Sequence, residues 1–346
     1  MPIARRSFLA ATAGVGFAVV GLPRRTDNRS SIARLVANTP YWLEATRTPG
    51  IAIGLVEDGR VRDAIAIGFD APGAGKAITK STVFQGASLS KQAMAWIALK
   101  SIEAGKLDLD RPLVAYIASP PDAPEAGMDR ITARHVLTHT TGWPNWPPND
   151  GPFRSVRPLG TWGYSGAGFL LLQQALEGAW SEPAVSYTRR LLLDPLGMTS
   201  SSFVWRAEYD ATATRGYQQD GSPAETWQPD RPNGASSLHT TPEDYSRLLA
   251  GFLTPSVRTR FPTVYQRQVA IDARLGWSLG WGTDGDVLWQ WGHSNGFRTF
   301  AALDPRRRRG IVSLSNGAGG QRVNREWVNG WLERDLDAFF FSSVEL

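Results

Sequence analysis

The spacing of apolar and polar positions sets the two ends of the chain apart from its middle. Residues 32–47 repeat apolar positions at helical spacing and stop at Pro49-Gly50. Two apolar runs follow, 51–56 and 61–68, joined at Asp58-Gly59, a dipeptide that favours a two-residue β-hairpin turn. The last third returns to strand-like runs at 277–282, 287–291, 297–303 and 311–315, then closes with an amphipathic helix over 324–341. Between these ends the pattern is helical. Residues 92–99 and 169–176 are strongly apolar, 185–193 stops at Asp194-Pro195, and Thr241-Pro242 opens another helix with Pro at its first position. The irregular stretch 143–160 is rich in Pro and Trp, and an aromatic loop of that length suggests a binding wall, with Trp143 as its first candidate.

This order predicts an α+β fold in which an antiparallel sheet is assembled from both chain ends and flanked by helices. The middle, roughly residues 90–240, packs as a helical lobe and leaves a cleft against the sheet. At 346 residues and 42% hydrophobic content the chain can bury a large core. Its net charge of +5 is scattered, and the densest run, residues 306–309, follows Asp304-Pro305 as an exposed turn, so no basic stripe points to nucleic acid. With no cysteine there are no disulfides and no thiolate metal ligands.

At the N-terminus, Arg5-Arg6-Ser7-Phe8-Leu9 precedes a short Ala/Gly-rich apolar run that ends at Pro23. This looks like a twin-arginine export signal and is too short for a good membrane span. Residues 1–30 are therefore expected to be a signal and linker, and 31–346 the functional domain, periplasmic or secreted, with no integral membrane domain.

The candidate chemistry starts at residues 84–94, FQGASLSKQAM. Ser88 stands three residues before Lys91 at the start of an apolar helix, and residues i and i+3 share a helix face, so hydroxyl and ammonium meet. A serine in the first turn also lies among unpaired backbone N–H groups at the positive end of the helix dipole, where negative charge is favoured. Deprotonated by the amine, it can attack a carbonyl and form an acyl-enzyme. Of the five lysines, only Lys91 has a serine three residues upstream.

Two other readings fail. His135 and His139 are four apart, but Val136 stands where a zinc-protease helix needs Glu and no third ligand is apparent, so no metal is expected. Gly292-His293-Ser294-Asn295-Gly296 fits Gly-x-Ser-x-Gly, yet an α/β-hydrolase elbow needs its His after the serine, and all four histidines precede Ser294.

The order Ser88-x-x-Lys91, Tyr164-Ser165-Gly166 and His293-Ser294-Asn295 resembles the serine β-lactamase and penicillin-binding-protein superfamily, and within it the class C-like branch with family VIII esterases. Supporting stretches are GKLDLDRPL, VLTHTTGWP, YSGAGFLLLQQALE, DPLGM and TTPEDYSRLL. The resemblance implies a β-lactamase/transpeptidase-like fold and four catalytic residues. Ser88 is the acylated residue, Lys91 a partly desolvated base and Tyr164 the proton carrier to the leaving group. His293 takes the place of the Lys in a Lys-Thr-Gly strand, since no lysine follows Lys106. The implied oxyanion donors are the Ser88 N–H and one near Gly296. Ser294, Asn295 and Gly166 are expected to line the substrate. Gly166 replaces an Asn, and Asn295 stands where relatives have Gly, narrowing the strand edge. The expected substrate is a small ester, amide or peptide-like molecule, handled without cofactor. A β-lactam or D-amino-acid peptide is the alternative substrate, and a catalytically weak binding module the alternative of another class.

Overall fold

The computed structural model describes residues 28–73, 75–118, 125–146 and 155–344. The twin-arginine stretch and the centre of the 143–160 loop lie outside the described residues. Helix α1 (Asn28–Ala45) leads into β1 (Gly50–Glu57) and β2 (Arg60–Gly68). Their hairpin turns at Asp58 and Gly59, with φ of +52° and +74°, the left-handed pair whose twist matches the flanking strands. Strand β3 (Phe84–Gln85) runs into a 3-10 turn, Ala87–Leu89, and then α2 (Ser90–Glu103).

The middle holds α3 (Ala133–Leu137), α4 (Gly166–Trp180), α5 (Ala184–Thr188), a π turn at Arg189–Leu193, α6 (Asp194–Leu196) and α7 (Tyr209–Thr212). Strand β4 (His239–Thr240) pairs with β3 and brings the chain back to α8 (Pro242–Phe252) and α9 (Pro255–Arg260). Then come β5 (Val269–Ala270), β6 (Leu275–Trp277), β7 (Gly282–Asp284), β8 (Val287–Ser294), β9 (Phe297–Asp304) and β10 (Arg309–Ser315), followed by α10 (Gln321–Leu332) and α11 (Ala338–Val344).

The eight-stranded sheet has the order β2-β1-β10-β9-β8-β7-β6-β5, antiparallel throughout. Both chain ends build it, as the pattern predicts, because β1 pairs with β10 in the register Ile51 to Ser315. Strand alternation divides two cores. Ile51, Ile53, Leu55, Trp289, Trp291 and Phe300 face α1, α10 and α11, while Ala52, Val56, Leu288, Ala301 and Leu303 face the helical lobe around α2, α4 and α8. Strand β8 pairs with β7 only through residues 287–289, so past Trp289 the β7 side of its edge is left open beside the lobe.

Two expected elements are broken. The run 277–282 is the end of β6 and the start of β7, joined by a reversal at 278–281 that includes Gly280 at φ +89°. The closing helix is two helices, because Glu333 takes a left-handed conformation (φ +53°) after Leu332 and ends α10.

Asn295 and Gly296 form the two-residue turn between β8 and β9, with Gly296 at φ +72°. A methyl group there would lie 2.2 Å from the Tyr217 nitrogen. Gly296→Ala is therefore expected to cost about 2 kcal/mol or more of stability, seen as a lower melting temperature by circular dichroism. An unchanged melting temperature would contradict this account of the turn.

Candidate active site

The turn that carries Ser88 is strained and held from several sides. Ala87 sits at φ +49°, a conformation that costs an L-residue about 1–2 kcal/mol. The Gly86 N–H donates to the Leu238 carbonyl (2.7 Å), and the Thr299 hydroxyl of β9 donates to the Gly86 carbonyl (3.0 Å). Ser90 joins the same set: its hydroxyl donates to the Ala87 carbonyl (2.7 Å) and accepts the Leu238 N–H (2.9 Å). These bonds offset the strain and leave Ser88 half-exposed at the mouth of the cleft.

Lys91, in the first turn of α2, is wholly buried. Its Nζ donates to Ser88 Oγ at 3.0 Å and to the Ala235 carbonyl at 2.8 Å. Burial lowers its pKa from 10.5 to about 7, since among the described residues no carboxylate repays the desolvation of the ammonium. Around it stand the faces of Tyr164 (4.9 Å to the ring centroid), Phe169 (5.8 Å) and Trp146 (5.9 Å). At neutral pH a large share of Lys91 is thus free amine, hydrogen-bonded to a serine hydroxyl.

Tyr164 precedes α4, whose N-cap Ser165 accepts the Gly168 N–H. Its ring stacks on His139 (4.3 Å between centroids) and packs against Trp291 (4.6 Å). His139 is itself locked, with its Nδ1 accepting the Ser165 N–H at 3.0 Å. Burial, together with the charge of Lys91, pushes its pKa well below 6.5, so the imidazole is neutral. His135, the other half of the spurned metal pair, caps α3 with its ring Nδ1 at Thr132. The two histidines therefore serve different local structures.

The strand contribution differs from expectation. Gln290 of β8 is fully buried, and its Nε2 donates to Tyr164 Oη at 2.8 Å. Gly292 lies against Ser88 so closely that a methyl there would be 3.1 Å from the Ser88 nitrogen and 2.6 Å from the Gly86 oxygen. His293, three residues beyond Gln290, falls on the opposite face by strand alternation. It pairs across the sheet with Arg298, and burial followed by that guanidinium lowers its pKa to about 3. Gln321 of α10 faces its ring, but neither ring nitrogen has a hydrogen bond of normal geometry. The side chain expected in place of the strand lysine is thus Gln290 and not His293. The strand backbone beside Ser88 is at Gly292, not Gly296, which sits in the β8–β9 turn.

Three other expected positions also move. Asn295 is exposed in that turn, not on the strand edge, while Ser294 is the half-exposed last residue of β8. Trp143 is 2% exposed and belongs to the core; the exposed aromatic beside Lys91 is Trp146, at 44%. Gly166 lacks an amide side chain, but Asn145 brings one to the same place, with its Oδ1 accepting the Gly166 N–H at 2.9 Å. Sequence reading missed Gln290, Trp146 and Asn145. The Asn-Gly dipeptide was the available signal for the first, because it marks the hairpin tip and so places the strand motif further upstream.

A serine and a buried lysine one turn apart, backed by a tyrosine, between an antiparallel sheet and a helical lobe, define the class of β-lactamase-fold serine hydrolases. The chain belongs to the Beta-lactamase family, whose family model matches residues 31–333. It is 22% identical over 320 residues to Protein flp of Staphylococcus aureus strain NCTC 8325, covering 83% of this chain and 62% of that protein. The chain thus spans less than two thirds of the length of that curated relative. It is 26% identical over 209 residues to Esterase EstB of Burkholderia gladioli, covering 51% and 53% of the two chains. A solved class C β-lactamase superposes with a TM-score of 0.76 at 19% identity, over 88% of this chain and 98% of the other.

The buried amine has a measurable cost. Unfolded, Lys91 titrates near 10.5; folded, it titrates near 7, so between these values the unfolded state binds more protons and stability rises with pH. The penalty is fully present below pH 7. Lys91→Met is therefore expected to be more stable than the parent at pH 6 by on the order of a few kcal/mol, with the gap narrowing toward pH 10. Chemical denaturation at both pH values checks this, and equal gaps would contradict it.

Proposed function

We propose that the chain is a serine hydrolase that forms an acyl-enzyme at Ser88 on small neutral esters or amides. The 3.0 Å contact between Ser88 Oγ and a fully buried Lys91 amine of pKa about 7 carries this reading. Lys91 takes the Ser88 proton as Oγ bonds to the substrate carbonyl carbon. The oxyanion is received by the Ser88 N–H and an N–H from the Gly292–His293 stretch of β8. The C–O or C–N bond of the adduct then breaks, and the proton passes from Lys91 through Tyr164 Oη to the departing oxygen or nitrogen. Water, relieved of a proton along the same path, adds to the acyl-enzyme and releases the acid. The similarity to an esterase supports ester substrates, and no metal or cofactor has a role in these steps. Export through the twin-arginine segment is part of the proposal and rests on Arg5 and Arg6.

Because only the free amine accepts the proton, kcat/KM on p-nitrophenyl butyrate is expected to rise with pH through a midpoint near 7, as the Lys91 pKa dictates. Ser88→Ala is expected to remove turnover and the acyl mass adduct while keeping the far-UV circular dichroism. Normal turnover by Ser88→Ala would end the mechanism. Rapid hydrolysis of a chromogenic cephalosporin would move the substrate reading to β-lactams, and no adduct with either compound would favour a binding module.

A further inference from the structure

Helix α4 supplies much of what surrounds Lys91. Tyr164 precedes it and Phe169 lies in its first turn, both with ring faces toward the Lys91 amine. Gln173 follows Phe169 by four residues and continues the same face one turn further on. Its side chain is half-buried and spans to the opposite wall, where Oε1 accepts the Gly234 N–H at 2.7 Å and Nε2 donates to the Pro232 carbonyl at 3.2 Å. The residue after Gly234 is Ala235, whose carbonyl accepts from Lys91 Nζ at 2.8 Å. We propose that Gln173 is a positioning residue for Lys91: by clamping Pro232 and Gly234 to α4 it aims the Ala235 carbonyl that holds the amine against Ser88.

Residues 233–237 form a unit closed on itself. Asn233 Oδ1 accepts the Ala235 N–H (3.0 Å), and the Asn233 carbonyl accepts the N–H groups of Ser236 (3.1 Å) and Ser237 (2.9 Å). Such a turn moves as one piece, so the direction of the Ala235 carbonyl depends on how the whole turn is fixed to its neighbours. At its far end the Leu238 N–H donates to Ser90 Oγ (2.9 Å) and Ser237 Oγ to the Phe203 carbonyl (2.7 Å). Gln173 holds the near end, and two bonds from one planar amide fix its rotation as well as its place. The turn is also pressed flat on α2, since a methyl group on Gly234 would lie 2.9 Å from Met94 Cγ. Because α4 follows directly on Tyr164, the acceptor of the amine and the tyrosine share one support.

An acceptor beside an ammonium favours the charged form. With Gln173 cut, the turn stays tied at Ser90 and Phe203 and swings only at its near end, while Phe169 and Met94 stay packed around the amine. Lys91 then loses an acceptor without gaining water, so its proton is held less tightly and its aim at Ser88 loosens. The titratable groups that face Lys91 are Tyr164 and His139, and the Gln173 side chain bonds to neither. Glu177, Asp230 and Arg231 share with Gln173 the open groove on its solvent side.

The inference rests on the Ser88 hydrolase reading above. Its test is the pH dependence of two reactions: kcat/KM on p-nitrophenyl butyrate, and inactivation by a small fluorophosphonate, which needs attack by Ser88 but no turnover. Gln173→Met keeps the volume and removes both bonds. It is expected to move the midpoint of both profiles to lower pH by about half a unit or more and to lower the kcat/KM plateau about fivefold or more. Glu177→Met cuts a different tie of the same helix, to the Ala184 N–H at 3.1 Å, and is expected to leave the midpoint in place whatever it does to the melting temperature. A midpoint unmoved or raised in folded Gln173→Met overturns the proposal, as does an equal shift in Glu177→Met, which would assign the effect to the helix as a whole. Gln173→Asn, too short to reach both partners, replaces Gln173→Met if that variant does not fold, and is read by the same rule. Wild type inert to both the ester and the fluorophosphonate at every pH is a different result, which removes the hydrolase reading and this proposal with it.

Discussion

A lysine held entirely out of water, with no carboxylate beside it among the described residues, is the constraint on which the rest of this structure depends. Desolvating an ammonium is expensive, and two hydrogen bonds, to Ser88 Oγ and the Ala235 carbonyl, do not restore the charged form. The fold accepts a marginal residue in its core and with it an amine that exchanges its proton near neutral pH, the kind of tension that often sets stability against activity. Each nearby element acts to keep this amine dry and aimed. The Ala87 turn sets the serine, the 233–238 segment supplies the carbonyl, Phe169 and Tyr164 provide apolar faces, and His139 braces Tyr164 from behind. That His139 is held neutral follows from the same dry surroundings.

Much of this was legible in the sequence because it is local. A hairpin at Asp58-Gly59, an apolar helix after Ser88 and strands at both ends follow from spacing and turn chemistry, and the pairing of the ends follows from the order of elements. The candidate site was legible where two of its residues share one helix turn, as Ser88 and Lys91 do. It was harder to read where a residue reaches the site across the fold. Gln290 meets Tyr164 over 126 positions of sequence, and a strand gives no clue to which face holds the site unless its register is known. His293, the residue expected there, lies three residues beyond Gln290, and that odd offset puts its side chain on the α10 face. Trp143 and Trp146 illustrate the same limit in a loop, where composition shows that aromatics are present but not which one is buried. The break at Glu333 was hidden because a left-handed residue without glycine leaves no compositional mark.

The two faces of the sheet do different work. The face toward α1, α10 and α11 is packed with Trp289, Trp291, Phe300, Trp327 and Trp331, a rigid aromatic layer that fixes β8 in place. The face toward the lobe carries smaller groups near Ser88, with Gly292 allowing the backbone to approach the Ser88 nitrogen. Bulk behind the strand and its absence in front bring Ser88 and a strand edge into contact.

The pairing of β1 with β10 also shapes how the protein is made. Ile51 must wait for Ser315, so the β1–β2 hairpin leaves the ribosome with its partner strand still untranslated. At typical synthesis rates of about 5–20 residues per second that wait is on the order of ten to fifty seconds, during which an apolar strand edge is unpaired. The Ser88 turn waits too, because the Gly86 carbonyl is secured by Thr299 and the Tyr164 hydroxyl by Gln290. In a nascent chain of this protein the turn that carries Ser88 is thus unsecured until nearly the whole length has emerged.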